Sequence, residues 1–357
     1  MRLIKIHSKA EVNPMPFTYK ECGVNRKIRE KAKRSLKNFE LTYKLSKYGK
    51  IIKTPFNVLY PISKDRYQVK TCDGVGTKVL LAELVNKHDT VGKDAIAMVV
   101  NDCIRCGAKP IAITDTIDIK KSEPKLLKEI QRGLIAGAKE ADCPLVGGET
   151  ADVPELLNAA YHINCDCVGE VEKKNIITGK KIKPGNVIIG FRSSGIHSNG
   201  LTLARKVLFK KWGGKFNVSD KPEGFKRKLI LECLEPTKIY VKPFLKIAKR
   251  FEILGAVHIT GGAYLKFKKE NRKVGFEFNN FKPQPIFNLI QKIGSISDKE
   301  MFSVFNMGWG FAIIVDEKDA DRILELLKEQ KAKAEIIGRI IKGKQIFINY
   351  KNKEIIL

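Results

Sequence analysis

The stretch Thr71-Cys-Asp-Gly-Val-Gly-Thr-Lys78 ends an alternating apolar segment, Tyr67-Gln-Val-Lys-Thr-Cys72. Alternation of this kind predicts a strand. Glycines at a strand end let a phosphate come close to the backbone, because glycine lacks a Cβ and tolerates positive φ. Gly74 and Gly76 offer that approach, Asp73 suits a divalent cation, and Thr77 and Lys78 suit phosphate oxygens. Two carboxylate clusters downstream, Asn101-Asp102 and Gly147-Gly-Glu-Thr-Ala-Asp152, also follow apolar segments. Taken singly, each of Asp73, Asp102, Asp115, Glu149 and Asp152 reads as a cap or turn residue. Five in such positions within 80 residues point instead to a shared cation. Close carboxylates repel and raise one another's pKa. Magnesium prefers oxygen ligands and bridges phosphates, so it relieves that repulsion.

Working outward, Asp94-to-Cys106 predicts a helix with Ile96, Val99, Val100, Cys103 and Ile104 on one face, stopped by Gly107 and Pro110. Ile111-to-Ile119 predicts a strand, and Pro124 opens a helix at its first turn. Leu145-Val146 reads as a short strand running into a Gly147-Gly148 turn, and Tyr161-to-Val171 as another strand. Upstream, residues 1–18 read as an N-terminal extension, followed by a helix over roughly 24–46.

A linker near Glu172-Lys-Lys-Asn175 separates a second pattern. Strands are expected at Asn186-to-Phe191, Ala256-to-Thr260 and Gly310-to-Val315. Helices are expected at Ser198-to-Trp212, Pro236-to-Phe251 and Ala320-to-Gln330, and a terminal hairpin at Ile336-to-Asn349. The class is therefore α/β (α+β) with two domains, 19–172 and 173–357.

The chain has 357 residues and 43% hydrophobic content, which suits two soluble domains. Apolar runs such as Ile96-to-Val100 are far below the ~20 residues of a membrane helix. Met1-to-His7 lacks a signal-peptide core, which predicts a cytoplasmic protein without a membrane partner. In that compartment the eight cysteines are expected as thiols. The lone Cys103/Cys106 pair reads as one helical turn better than as a zinc site. The net charge of +28 raises the question of nucleic acid, but the lysines are spread along the chain. The densest run, Arg26-to-Lys37, carries Ile28, Ala32 and Leu36 at helical spacing and reads as a solvated helix. Nucleic acid is therefore not the expected partner.

Gly338-to-Gln345 has phosphate-loop glycine spacing but no Ser or Thr for magnesium, so Lys342-Gly343 reads as a hairpin turn. Arg192-Ser-Ser-Gly-Ile-His-Ser-Asn-Gly200 ends one strand and opens a helix that Ser198 or Asn199 would cap. His258-Ile-Thr-Gly-Gly-Ala263 repeats the strand-to-glycine theme. Two such turns in one domain favour an anion site.

With these segments in order, the chain resembles the phosphoribosylformylglycinamidine cyclo-ligase family from about Tyr19 to Ile356. The resemblance rests on Asp73-Gly-Val-Gly-Thr-Lys78, Gly147-Gly-Glu-Thr-Ala151, His197-Ser-Asn-Gly200, Pro236-Thr-Lys-Ile-Tyr-Val241 and Ile259-Thr-Gly-Gly262. It implies a homodimer joined through a β-barrel of the N-terminal domains. It also implies a C-terminal substrate domain and ATP-dependent closure of formylglycinamidine ribonucleotide to 5-aminoimidazole ribonucleotide. Under it, Asp73, Gly74, Gly76, Thr77, Lys78 and Asp102 bind ATP, and Asp73, Asp102, Asp115, Glu149 and Asp152 hold Mg2+. His197, Ser198, Asn199, Gly261 and Gly262 take the ribonucleotide, with His197 and Lys78 as candidate catalytic groups. The chain departs from the family pattern at Ile196, Ala263 and Trp309, and it lacks the glycine-rich run expected near Tyr48-to-Asn57. The alternatives are a selenophosphate synthetase-like or thiamine-monophosphate kinase-like enzyme, or an inactive basic nucleic-acid-binding relative.

Overall fold

A computed structural model describes residues 17–357, so the N-terminal extension over residues 1–16 lies outside the described residues. The first sheet has six strands: β1 (Ile52–Lys53), β2 (Val58–Pro61), β3 (Arg66–Gly74), β4 (Lys109–Ile119), β5 (Leu145–Asp152) and β6 (Tyr161–Glu172). Their order is β1-β2-β3-β6-β4-β5. Only β4 and β5 run parallel, because the helix Pro124–Ala141 makes the crossover between them. Alternation decides which face is covered. Tyr67, Val69 and Thr71 of β3 and Tyr161, Ile163, Cys165 and Cys167 of β6 are buried, and the helix Asp89–Ile104 packs against both strands.

That helix also lies against Pro124–Ala141 at a distance only glycine allows. A Cβ on Gly133 would stand 1.8 Å from the carbonyl oxygen of Asp89, and one on Gly92 2.2 Å from that of Ile130.

The second sheet has seven strands: β7 (Val187–Arg192), β8 (Gly255–His258), β9 (Gly275–Phe278), β10 (Trp309–Val315), β11 (Ala334–Ile341), β12 (Ile346–Tyr350) and β13 (Lys353–Ile356). Their order is β13-β12-β9-β11-β7-β10-β8. β7 and β10 read as unbroken apolar runs because helices such as Val241–Ala248 and Ala320–Glu329 cover them.

Several expectations are corrected. β5 does not turn at Gly147-Gly148 but continues to Asp152. A Cβ on Gly148 would lie 2.5 Å from Oδ1 of Asp115, so this glycine serves strand packing rather than a bend. Ile336-to-Asn349 is not a hairpin, since β9 lies between β11 and β12. The true terminal hairpin joins β12 to β13 through Lys351 and Asn352, both at positive φ. The helix expected over 198–212 starts at Leu201, after Gly200 at φ 84°, and no side chain caps it. The helix expected from Pro236 starts at Val241, because Thr237 to Tyr240 instead runs along the first domain with its backbone bonded there. The basic helix is short, Arg26–Arg34, and passes into a 3-10 segment, Ser35–Leu45. All eight cysteines are free thiols.

Candidate active site

The helix Asp89–Ile104 carries Asp94, Asn101 and Asp102 toward the second domain. These positions are seven and eight residues apart, two turns of one face. Asp94 Oδ1 accepts from the backbone N–H of Thr237 at 2.7 Å and from the Ser198 hydroxyl at 3.1 Å. Asn101 donates to the Lys238 carbonyl at 2.8 Å and accepts from the Tyr240 N–H at 2.9 Å. Asp102 Oδ1 meets His258 Nδ1 at 2.8 Å, while its Oδ2 pairs with Arg105 at 2.8 Å. A single helix thus ties the 193–200 loop, the 235–240 segment and the end of β8 to the first domain.

Around Asp102 gather Asp73, Arg105, His258 and Lys266. Burial alone would raise the Asp102 carboxyl, but Arg105 and the hydrogen bond from His258 outweigh it and hold the group well below the usual carboxylate range. Asp73 moves the other way. Burial first, and the Asp102 charge second, raise its carboxyl, opposed by the Gly74 N–H, which donates to Oδ1 at 2.8 Å, and by the charges of Lys266 and Arg105. Its second oxygen has no protein hydrogen bond among the described residues. Lys266 donates to the His258 carbonyl at 3.1 Å and to the Thr260 hydroxyl. Burial pushes its pKa down to about 8, against the pull of Asp102.

The five expected metal carboxylates do not converge within one chain. β-sheet register explains why. Asp73 and Asp115 both pair with Cys165 of β6, so they share a row two strands apart, roughly 10 Å at the spacing of neighbouring strands. Glu149 lies in the next row, opposite Thr116, and therefore points to the other face. Asp152 is further along β5 and accepts from the backbone and hydroxyl of Ser122, both at 2.9 Å, closing a turn. Among the described residues no three acidic, His or Cys side chains are grouped closely enough to hold a metal. The observed pair is Asp73 with Asp102.

Lys78 is likewise relocated. Its ammonium is fully buried, 2.7 Å from Asp94 and 2.7 Å from the Glu235 carbonyl. It pins the domains together and does not face the Asp73 cluster. Thr77 meets Thr202 across the same junction at 3.1 Å, and Gly76 stands at φ 67° before it.

His197 sits at φ 66° and is buried. Its Nε2 accepts from the Ser194 N–H at 3.1 Å, which places the proton on Nδ1, an atom without a partner. Burial lowers its pKa far below the usual imidazole range, with His258 adding to the effect. His197 is therefore neutral. Ser198 is turned inward to Asp94, whereas Asn199 reaches the Gly261-Gly262 turn: a Cβ on Gly261 would lie 2.9 Å from its Oδ1. Gly262 and Ala263 both take positive φ.

Arg105, Lys266 and Asp94 escaped the sequence reading. Arg105 and Lys266 are lost among 67 basic residues. Asp94 carried a signal, a charge on the buried side of an otherwise apolar helix.

Two layered domains joined by a polar seam define an architecture shared with solved structures. The HypE–HypF complex matches with a TM-score of 0.64 at 19% identity, over 93% of this chain and 99% of that one. T. maritima PurL complexed with ADP matches with a TM-score of 0.58 at 15% identity, over 88% of this chain and 46% of that one. At such identities the likeness concerns the fold. The chain belongs to the AIR synthase related protein family, whose N-terminal domain matches residues 57–171 and whose C-terminal domain matches 183–351. It is 41% identical to the phosphoribosylformylglycinamidine cyclo-ligase of Methanocaldococcus jannaschii, over 95% of this chain and 99% of that one. The enzyme of the same name from Bacillus thuringiensis subsp. konkukian is 40% identical, over 94% and 99%.

Proposed function

We propose that this chain closes the imidazole ring of purine precursors. It converts formylglycinamidine ribonucleotide and ATP to 5-aminoimidazole ribonucleotide, ADP and phosphate. The observation that carries this reading is identity of 41% with a cyclo-ligase over nearly the full length of both chains. An amide oxygen is a poor leaving group. Transfer of the γ-phosphoryl group to it makes phosphate the leaving group, and the neighbouring amidine nitrogen then attacks the same carbon. Catalysis of this kind is mainly positioning and charge stabilisation.

ATP is assigned to the seam beside Asp73, Gly74, Gly76 and Thr77, with Lys266 in the role first expected of Lys78. Asp73, raised and with one free oxygen, fits a magnesium ion, which is often held by one or two carboxylates together with phosphates and water. The ion would bridge phosphates and neutralise their charge. Asp102 is the second candidate ligand; Asp115, two strands from Asp73, stays outside this pair. The ribonucleotide is assigned to the loop of His197, Ser198 and Asn199 and to Gly261-Gly262. His197 is neutral and buried behind Ser198 and Asn199, so its part is to hold the loop in place.

The exposed apolar side chains Val58 and Tyr60 on β2 support a homodimer in which two such sheets close a barrel. Residues 19–172 then form the nucleotide and dimerisation domain, and 173–357 the substrate domain. A cytoplasmic location accords with this chemistry, and no helix among the described residues is long and apolar enough to cross a membrane. The test is complementation of a purine-auxotrophic strain lacking its cyclo-ligase, paired with an assay of ADP release. Growth and ADP release dependent on formylglycinamidine ribonucleotide are expected. Release of ADP indifferent to that substrate, without growth, refutes the assignment.

A further inference from the structure

Beside the seam, near Lys238, a cleft of about 940 Å3 opens between the helix Ala320–Glu329 and the start of β11. Its size is within the range of small-molecule sites. None of the residues assigned above to nucleotide, metal or ribonucleotide lines it. Arg192, at the end of β7, forms its inner wall, with its guanidinium 4.9 Å from the ring of the buried Trp309. That stacking fixes the group. Its Nη1 is buried beside Gly308 and has no acceptor among the described residues, which leaves the rest of the fork to face the cleft.

The surrounding charge repeats the same deficit. Lys282 is matched by Glu335 at 2.9 Å, whereas Lys328, Lys331 and Lys333 line the cleft with no carboxylate in ion-pair range among the described residues. Lys333 is held beside Arg192 by the bond from the Arg192 N–H to its carbonyl, 2.9 Å. Burial, then the charges of Lys333 and Arg192, depress the ammonium of neighbouring Lys238 against the opposing pull of Glu140. Asp321 and Glu325, on the same helix as Lys328, also line the cleft, exposed and without ion pairs among the described residues.

We propose that this cleft binds a small phosphorylated polyol, with its phosphate between Arg192 and Lys333 and its hydroxyls on Asp321 and Glu325. A phosphate matches the planar guanidinium fork, and carboxylates accept from hydroxyl groups.

Ribose 5-phosphate is the probe, titrated calorimetrically into the full chain at physiological ionic strength. The expected result is saturable binding in which one equivalent weakens at least tenfold in Arg192→Gln/Lys333→Gln. The charge-matched Lys226→Gln/Lys228→Gln, on exposed positions outside the cleft, should bind as the unmodified chain does. Lys333 is exposed, so Lys333→Gln alone keeps the fold and should still weaken binding several-fold. Undiminished binding in the cleft variants would place the probe elsewhere, the catalytic seam included, and overturn the proposal. Equal loss in both double variants would reduce it to diffuse charge, and absence of saturable binding would also overturn it.

Discussion

Lys266 shows how one side chain acquires a working pKa. Burial lowers it to about 8 and the Asp102 carboxylate keeps it from falling further. Its charge is therefore present at neutral pH and lost as pH rises through about 8. If it meets a nucleotide phosphate, KM for ATP should rise above that pH, and Lys266→Met should have a high KM that is flat across the same range. An unchanged pH profile in the variant would remove Lys266 from the site. Glu270 is the opposite case, a carboxyl pushed up to about 8 by burial, with Oε2 unpartnered. Because its folded pKa is above the ordinary 4.5, its proton supports the fold fully below pH 4.5, and that support is lost as pH rises to about 8. Glu270→Gln should melt higher than the unmodified chain at pH 9, with the difference closing near pH 4. Scanning calorimetry across that range decides it.

At the scale of elements, the helix Asp89–Ile104 sets the geometry of the seam, and its own position is set by Gly92 and Gly133. A methyl at Gly133 would overlap the Asp89 carbonyl, so the two helices must part. Gly133→Ala should cost about 3 kcal/mol or more, read from urea unfolding, and should also weaken substrate affinity by displacing Asp102. Retained stability would mean that the helices slide freely. The helix core itself was legible, because Ile96, Val99, Val100, Cys103 and Ile104 follow a single period. β3, β4 and β6 were legible from alternation. β5 was misread, since glycines normally punctuate and here they admit a neighbouring carboxylate. The hairpin was misread because two adjacent strands in sequence gave no sign that β9 is inserted between them. The site was partly legible. Asp73 and Asp102 come together, whereas Glu149 points to the other face of its sheet and Lys78 is buried against Asp94, placements not visible without register.

For the whole molecule, the uncovered face of the first sheet matters most. Val58 and Tyr60 of β2 are 42% and 40% exposed. If two sheets close against each other, the unmodified chain should sediment at twice 40.2 kDa, and Val58→Lys/Tyr60→Lys should shift it toward the single-chain mass. A monomer from the outset would dismiss the barrel. Nucleic-acid retention is not expected to accompany the charge of +28, which is distributed over both domains.

The buried Lys78–Asp94 pair has a bearing on how the gene tolerates being split. Cutting between the two domains would leave the fragment ending near residue 172 with an ammonium and a carboxylate facing each other in water, stripped of Thr237, Ser198 and the Glu235 carbonyl. The C-terminal fragment would in turn present bare backbone groups where Asp94 and Asn101 had been. Each half therefore carries a polar scar that only the other can cover, and co-expressed fragments should find one another where either alone stays inert.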